Sequence, residues 1–261
     1  MQDSYRAVGD VYVLPSSQAS AGHGVLPVNA YLVVGRGPLL VDTGLPDEGE
    51  ELLESVGSLV DLEDLAGVFL THEDADHAGN LLRLLEAAPN ARLVTNYVTV
   101  TKLLESTSVP LDRVVVVNPG QRVPGVDGNL VVIRPPVYDA PGTVGLYDGD
   151  TGAMLTVDAF GTYLPEVVDE VWDVGEPEAL SGLFDFNRVN HPWVALADPA
   201  RFLEELEDLR RLQPALLLSS HGVPARNRID ALFDAMARLP AMEPLVPPDQ
   251  ARFEELRPDM G

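Results

Sequence analysis

Cysteine is absent from all 261 residues, and disulfides, thiolate catalysis, iron–sulfur clusters and zinc ribbons are excluded with it. Any metal must be held by His, Asp or Glu. Lysine is almost absent as well: Lys102 is the only one among 17 basic residues, set against 41 acidic ones for a net charge of −24. A field of that sign repels polyanions and argues against nucleic acid as a partner; its plainest consequence is solubility. Nor is there an apolar run near the roughly 20 residues a membrane span needs. The opening MQDSYRAVGD lacks the basic start and apolar stretch of a secretory signal, so no membrane is expected and the cytoplasm is the expected location.

What is present is ample apolar material, 46% of the chain, punctuated by 22 glycines and 22 prolines. Three β-rich runs open the sequence: Val11-Tyr12-Val13-Leu14, Ala30-Tyr31-Leu32-Val33-Val34 and Leu39-Leu40-Val41. Gly, Pro or Ser bounds each of them, and Gly35-Arg36-Gly37-Pro38 reads as a hairpin turn. A short helix is predicted over residues 50–56, a buried strand over 67–71 and a helix over 79–87. Further strands are expected at 92–95, 114–117, 130–134, 144–147 and 153–157, with a helix at 97–105 and a hairpin at 149–152. Past Asp158 the pattern turns helical, at 165–172 and then at 199–212, where Phe202, Leu203, Leu206 and Leu209 fall on one stripe. A last strand at 215–219 and a last helix at 229–239 follow. No Gly-rich phosphate loop and no internal repeat interrupts the order. The expectation is one domain over 1–261, an α/β core of about 8–239 in which two sheets are flanked by helices, and a peripheral tail from residue 240.

Chemistry concentrates in Thr71-His72-Glu73-Asp74-Ala75-Asp76-His77-Ala78-Gly79-Asn80. In an extended stretch residues i, i+2 and i+4 share a face, so His72, Asp74 and Asp76 would point one way, with His77 added as the helix begins. Taken alone, the string reads as readily as a polar helix entry in which Asp74 or Asp76 merely caps the helix.

The order of strand, LLVDTG (Leu39 to Gly44), helix, strand and THxDxDH resembles the metallo-β-lactamase superfamily, whose signature is THxHxDH. That resemblance implies an αββα sandwich of four layers. It gives Asp42 the place of a buried aspartate that orients the loop, and Asp158 in Leu155-Thr156-Val157-Asp158-Ala159-Phe160-Gly161 the place of a carboxylate bridging two metals. It gives His221 in Ser219-Ser220-His221-Gly222 the place of the final histidine ligand. Within the superfamily the chain looks most like flavodiiron and oxygen-binding diiron proteins. An acid, Asp74, follows His72-Glu73 where hydrolases carry histidine; Asp158-Ala159-Phe160-Gly161 matches their bridging segment; and Asn187 to Trp193 resembles theirs. Pro136-Val137-Tyr138-Asp139-Ala140-Pro141 departs from them, with Asp139 in a slot that is histidine in that branch. Carried over, one metal would have His72, Asp74, Asp139 and Asp158, and the other Asp76, His77, Asp158 and His221.

Four carboxylates and three imidazoles form a hard donor set that suits iron first, then manganese, and zinc less. The resemblance implies a di-iron protein that binds or reduces dioxygen or nitric oxide. No flavodoxin-like FMN domain is expected within these residues, so a separate electron-donor protein would serve it, and a homodimer is in keeping with the relatives. Two alternatives stay open. One is a hydrolase of a small ester, thioester or lactone, with Asp76 orienting a metal-activated hydroxide. The other is a degenerate metal-binding or sensor protein, which the substitution at Asp139 motivates. His23, in Ala21-Gly22-His23-Gly24, reads either as a proton donor over the metals or as a surface loop residue. His191 reads as packing, and Tyr31 and Trp193 as half-buried core.

Overall fold

Glycine and proline punctuation sets several strands where the sequence bounds them, but β-structure also forms at Tyr5–Val8, where none is expected, and the first two expected strands extend to Val11–Ser20 and Gly24–Val33. The computed structural model describes residues 1–257, and its contacts divide them into two units. The first comprises Met1–Ser16, Val28–Pro135 and Ala140–Leu155; the second comprises Ser17–Pro27, Pro136–Asp139 and the described residues from Thr156 on.

In the first unit a seven-stranded sheet runs in chain order: β1 (Tyr5–Val8), β2 (Val11–Ser20), β3 (Gly24–Val33), β4 (Leu39–Val41), β5 (Gly67–Phe69), β6 (Arg92–Thr95) and β7 (Val114–Val116). Strands β2 and β3 each continue into the second unit. β1 pairs antiparallel with β2 and β3 with β4, whereas β4 to β7 are parallel, Val41 lying opposite Phe69 and Phe69 opposite Val94. Parallel neighbours need crossovers, which α1 (Gly49–Leu59), α2 (Ala75–Ala78), α3 (Leu81–Ala87) and α4 (Tyr97–Ser106) supply. Leu52 and Val56 of α1 and Leu81 and Leu84 of α3 pack with Leu32, Leu40, Val68 and Leu93 into one buried cluster. The same unit holds the antiparallel strands β8 (Leu130–Ile133) and β9 (Gly145–Asp148) and the start of β10 (Ala153–Val157).

The helix expected over 79–87 forms as α3, and the separate short helix α2 precedes it and ends at Gly79. A Cβ at Gly79 would stand 2.6 Å from the carbonyl oxygens of both Ala75 and Gly44, so this glycine is set by close backbone approach.

In the second unit β10 ends beside β11 (Leu216–Ser219), which completes a four-stranded sheet of order β11-β10-β9-β8. Around them lie α5 (Glu176–Asn190), α6 (Pro199–Arg210), α7 (Ile229–Met236) and α8 (Gln250–Leu256). The expected helix over 165–172 does not form. Glu170 instead caps a short 3-10 turn, Val171–Val174, through a reciprocal bond with Asp173, and Gly175, at φ 92, ends it. The helix lies later, as α5, where Pro177 in the first turn and Gly182 in the middle disguise it. On α6 the stripe is narrower than expected: Phe202, Leu206 and Leu209 are buried, but Leu203 is 40% exposed. The tail from residue 240 holds the end of a 3-10 turn, Leu239–Ala241, and the exposed helix α8; its last four residues, 258–261, lie outside the described residues. No helix among the described residues is long and apolar enough to cross a membrane.

Candidate metal centre

Asp42 organises the first unit's donors. It follows β4 with φ 62, a left-handed conformation that costs a non-glycine residue about 1 kcal/mol or more. In return its buried carboxylate accepts three bonds: from the Thr71 amide at 2.9 Å, the Thr71 hydroxyl at 3.0 Å and His77 Nδ1 at 2.8 Å. The proton of His77 therefore sits on Nδ1, and Nε2 presents its lone pair outward. A carboxylate behind a histidine in this way fixes ring orientation and raises ligand basicity.

Because the Thr71 hydroxyl donates to Asp42, it accepts from His72 Nδ1 at 3.1 Å, and His72 Nε2 turns away from that bond as well. The two rings lie 4.0 Å apart. His72 Nε2 is 3.7 Å from Asp74 Oδ2, and His77 Nε2 is 3.8 Å from Asp76 Oδ2. Asp74 occupies the N-cap position of α2, yet its side chain makes no capping bond; the capping account of this carboxylate fails. Backbone clamps hold the segment in place. Thr43 donates to the His77 carbonyl through both its amide (2.6 Å) and its hydroxyl (2.8 Å). Asn80 in turn bonds the Thr43 hydroxyl and carbonyl and the Leu45 carbonyl.

The second unit offers donors from separate strand ends. Asp158 follows β10 between two residues with positive φ, Val157 (60°) and Phe160 (65°). Three of the five non-glycine residues with positive φ among the described residues thus border candidate ligands or their support, and such conformations persist where surroundings impose them. Ser220 amide and Ser219 hydroxyl both donate to the Val157 carbonyl at 2.8 Å, so the ends of β10 and β11 are tied together. His221 Nδ1 donates to the Pro27 carbonyl at 3.0 Å, which leaves Nε2 facing Asp158 Oδ1 at 3.3 Å. Asp158 and His221 are buried. Asp139 is exposed in its loop, where the neighbouring Tyr138 carbonyl accepts from the Trp193 indole at 2.8 Å.

The His and Asp groups able to hold a metal ion among the described residues are made of His72, Asp74, Asp76, His77, Asp139, Asp158 and His221. Glu73 stands outside them, and burial pushes its carboxyl pKa up. The donors fit a metal on chemical grounds: their types are hard, and at least three imidazoles have Nδ1 engaged and Nε2 directed away from it. His23 lies on the exposed turn between β2 and β3, stacked on Tyr163. His191 is buried against the edge of Phe186. Trp193 is half-buried, whereas Tyr31 is fully enclosed and not half-exposed. Sequence reasoning gave no role to Thr43 or Asn80, although both stand inside the motifs it quoted, nor to the Pro27 carbonyl, which leaves no sequence signal.

A family description matches residues 23–221, that of the metallo-beta-lactamase superfamily. The chain belongs to this superfamily. Its two sheets flanked by helices are the superfamily's fold. The chain is 27% identical over 203 residues to diflavin flavoprotein A 1 of Thermosynechococcus vestitus, covering 77% of this chain and 34% of that one. It is 24% identical to the nitric oxide reductase of Moorella thermoacetica, covering 80% and 52%. The flavodiiron protein from Giardia intestinalis superposes with a TM-score of 0.79 at 16% identity, covering 92% of this chain and 60% of that one. The superfamily member described here thus spans about a third to a half of the length of those two relatives.

Proposed function

We propose that this chain holds two iron ions and, given electrons by an external donor, binds or reduces dioxygen or nitric oxide. The observation that carries the reading is the donor set. Carboxylates outnumber imidazoles, and Asp74, at the position where hydrolases of the superfamily place a histidine, is not occupied with capping its helix. Hard, anionic donors favour iron over zinc. The names of the similar proteins point the same way.

In this reading His72, Asp74, Asp139 and Asp158 hold one ion, and Asp76, His77, Asp158 and His221 the other. When bound, the iron pair supplies the reducing electrons. The chain supplies the rest. Asp42 and the Pro27 carbonyl keep the protons of His77 and His221 on Nδ1, so that neither ring must lose a proton to present Nε2. Asp158, deeply buried beside His221, carries a negative charge that the two cations would stabilise. Asp76, at 28% side-chain exposure, is the more open carboxylate beside His77, and His23, on the exposed turn, is the residue assigned to donate protons to the reduced product.

The test is gas consumption. Iron-loaded protein, chemically reduced and mixed with dioxygen or nitric oxide in a closed electrode cell, should consume gas in proportion to its iron. Loss of no gas beyond a metal-free control would overturn the reading. A zinc pair with turnover of an ester or lactone would replace it with hydrolysis.

A further inference from the structure

Four rings form a file through the second unit. His23, on the exposed turn, stacks on Tyr163 with centroids 4.5 Å apart and planes inclined by 20°. Tyr163 meets Phe186 edge-on at 5.5 Å, and Phe186 lies 5.2 Å from the His221 imidazole. Burial deepens along the file: His23 is exposed, Tyr163 half-buried, and Phe186 and His221 enclosed.

The chain makes specific room for it. A Cβ on Gly161 would collide with the Phe186 ring, and one on Gly182 with the Tyr163 carbonyl oxygen. Asn187, the next residue after Phe186, donates to the Gly161 carbonyl at 3.1 Å and the Leu183 carbonyl at 2.7 Å. Filling volume alone calls for apolar side chains of the right size. It does not call for an unbroken succession of rings that starts in solvent and ends on a ligand.

We infer that His23, Tyr163 and Phe186 form the route by which electrons enter the metal held by His221. This rests on the redox reading above. Electron transfer depends on orbital overlap along the path, and adjoining π systems keep that overlap where aliphatic contacts lose it. The step moves one electron: a reduced one-electron donor at the surface is oxidised, a ferric ion becomes ferrous, and no bond is made or broken on the way. Tyr163 and Phe186 act as the medium and are not themselves oxidised. His23 thereby becomes the docking end of a conduit.

The absence of native cysteine makes the route testable. His23→Cys provides a single thiol for a ruthenium photoreductant, and Leu196→Cys, at a side chain 89% exposed, provides the comparison. After a flash, with ascorbate returning the electron to ruthenium, loss of ferric absorbance reports arrival at the iron. The label at position 23 should deliver faster than the label at 196. Adding Phe186→Leu or Tyr163→Leu to His23→Cys should slow delivery roughly tenfold, equivalent to about 1.4 kcal/mol of barrier. Equal rates from both positions, or rates unchanged by both leucine variants, would overturn the route. Tyr163→Leu, at the half-buried position, covers the case in which Phe186→Leu fails to fold. Dithionite titration of the same samples separates the two failures: iron that no reductant can convert to ferrous sinks the redox reading, whereas iron reduced by dithionite but not preferentially through position 23 sinks only the route.

Discussion

His77 and His221 meet the same requirement with different partners. Each has Nδ1 bonded so that Nε2 turns toward a carboxylate, Asp76 for His77 and Asp158 for His221. His77 uses the Asp42 carboxylate at 2.8 Å, 35 residues away, whereas His221 uses the Pro27 carbonyl at 3.0 Å, 194 residues away. A carboxylate both orients the ring and strengthens it as a donor; a carbonyl orients it with much less charge. The first unit therefore builds a charged, tightly bonded support within one loop system, and the second gathers neutral support from remote backbone. The difference teaches that ligand strength and ligand placement are separable tasks here. Asp42 does both, and Pro27 does mainly the second.

Three substitutions sharpen or break that comparison. Asp158→Ala should have the largest effect, because it removes a proposed buried ligand and not merely the support of one. Metal affinity, read by competition against a chelator, should fall by more than the roughly 10–100-fold typical of losing an orienting partner; a smaller loss would mean that Asp158 does not ligate.

Asp42→Asn should come second, with affinity lower by roughly 10–100-fold. In metal-free protein it should also cost about 1–3 kcal/mol by urea denaturation, since Thr71 and His77 lose a charged acceptor. If metal affinity is unchanged, the carboxylate is only a structural tie and the contrast with His221 dissolves.

Tyr31→Phe should have the smallest effect, and only in alkali. Burial first, then the negative charges of Tyr5 and Asp42, hold the Tyr31 pKa well above its ordinary value. Below about pH 10 the hydroxyl keeps its proton in both states and contributes no pH dependence. Above it the unfolded chain releases the proton and the folded one does not, so stability falls with rising pH by about 1.4 kcal/mol per unit until the folded pKa is reached. Denaturation midpoints from about pH 9 to 12 should fall less steeply in Tyr31→Phe than in the parent. Parallel slopes would show that Tyr31 ionises freely despite its burial.

The contrast also explains what the sequence disclosed. Strands β4, β6 and β10 carry β-branched or leucine runs between turn residues, and their limits could be read to the residue. The donors at 72, 74, 76 and 77 crowd one loop and announce themselves. Asp158 and His221 are ordinary strand-end residues in isolation, and only the order of landmarks along the chain singles them out. Asp42 was legible as a support for the same reason. The Pro27 carbonyl was not, because every residue carries a carbonyl and only tertiary folding selects one. Helix α5 was misplaced because Gly182, demanded by the close approach of Tyr163, weakens the local helical signal, while the stretch from Pro165 to Trp172 has apolar content without a helix to spend it on. The ring file left no trace, since Phe186 and Tyr163 are aromatic residues like any others until packing aligns them.

The most direct measurement is elemental analysis of the purified protein grown with ample iron, manganese and zinc. Two irons per chain, falling sharply in Asp158→Ala, is the predicted result. Zinc filling the site in preference to iron, or no bound metal at all, would contradict the claim that these aspartates and histidines form a di-iron centre.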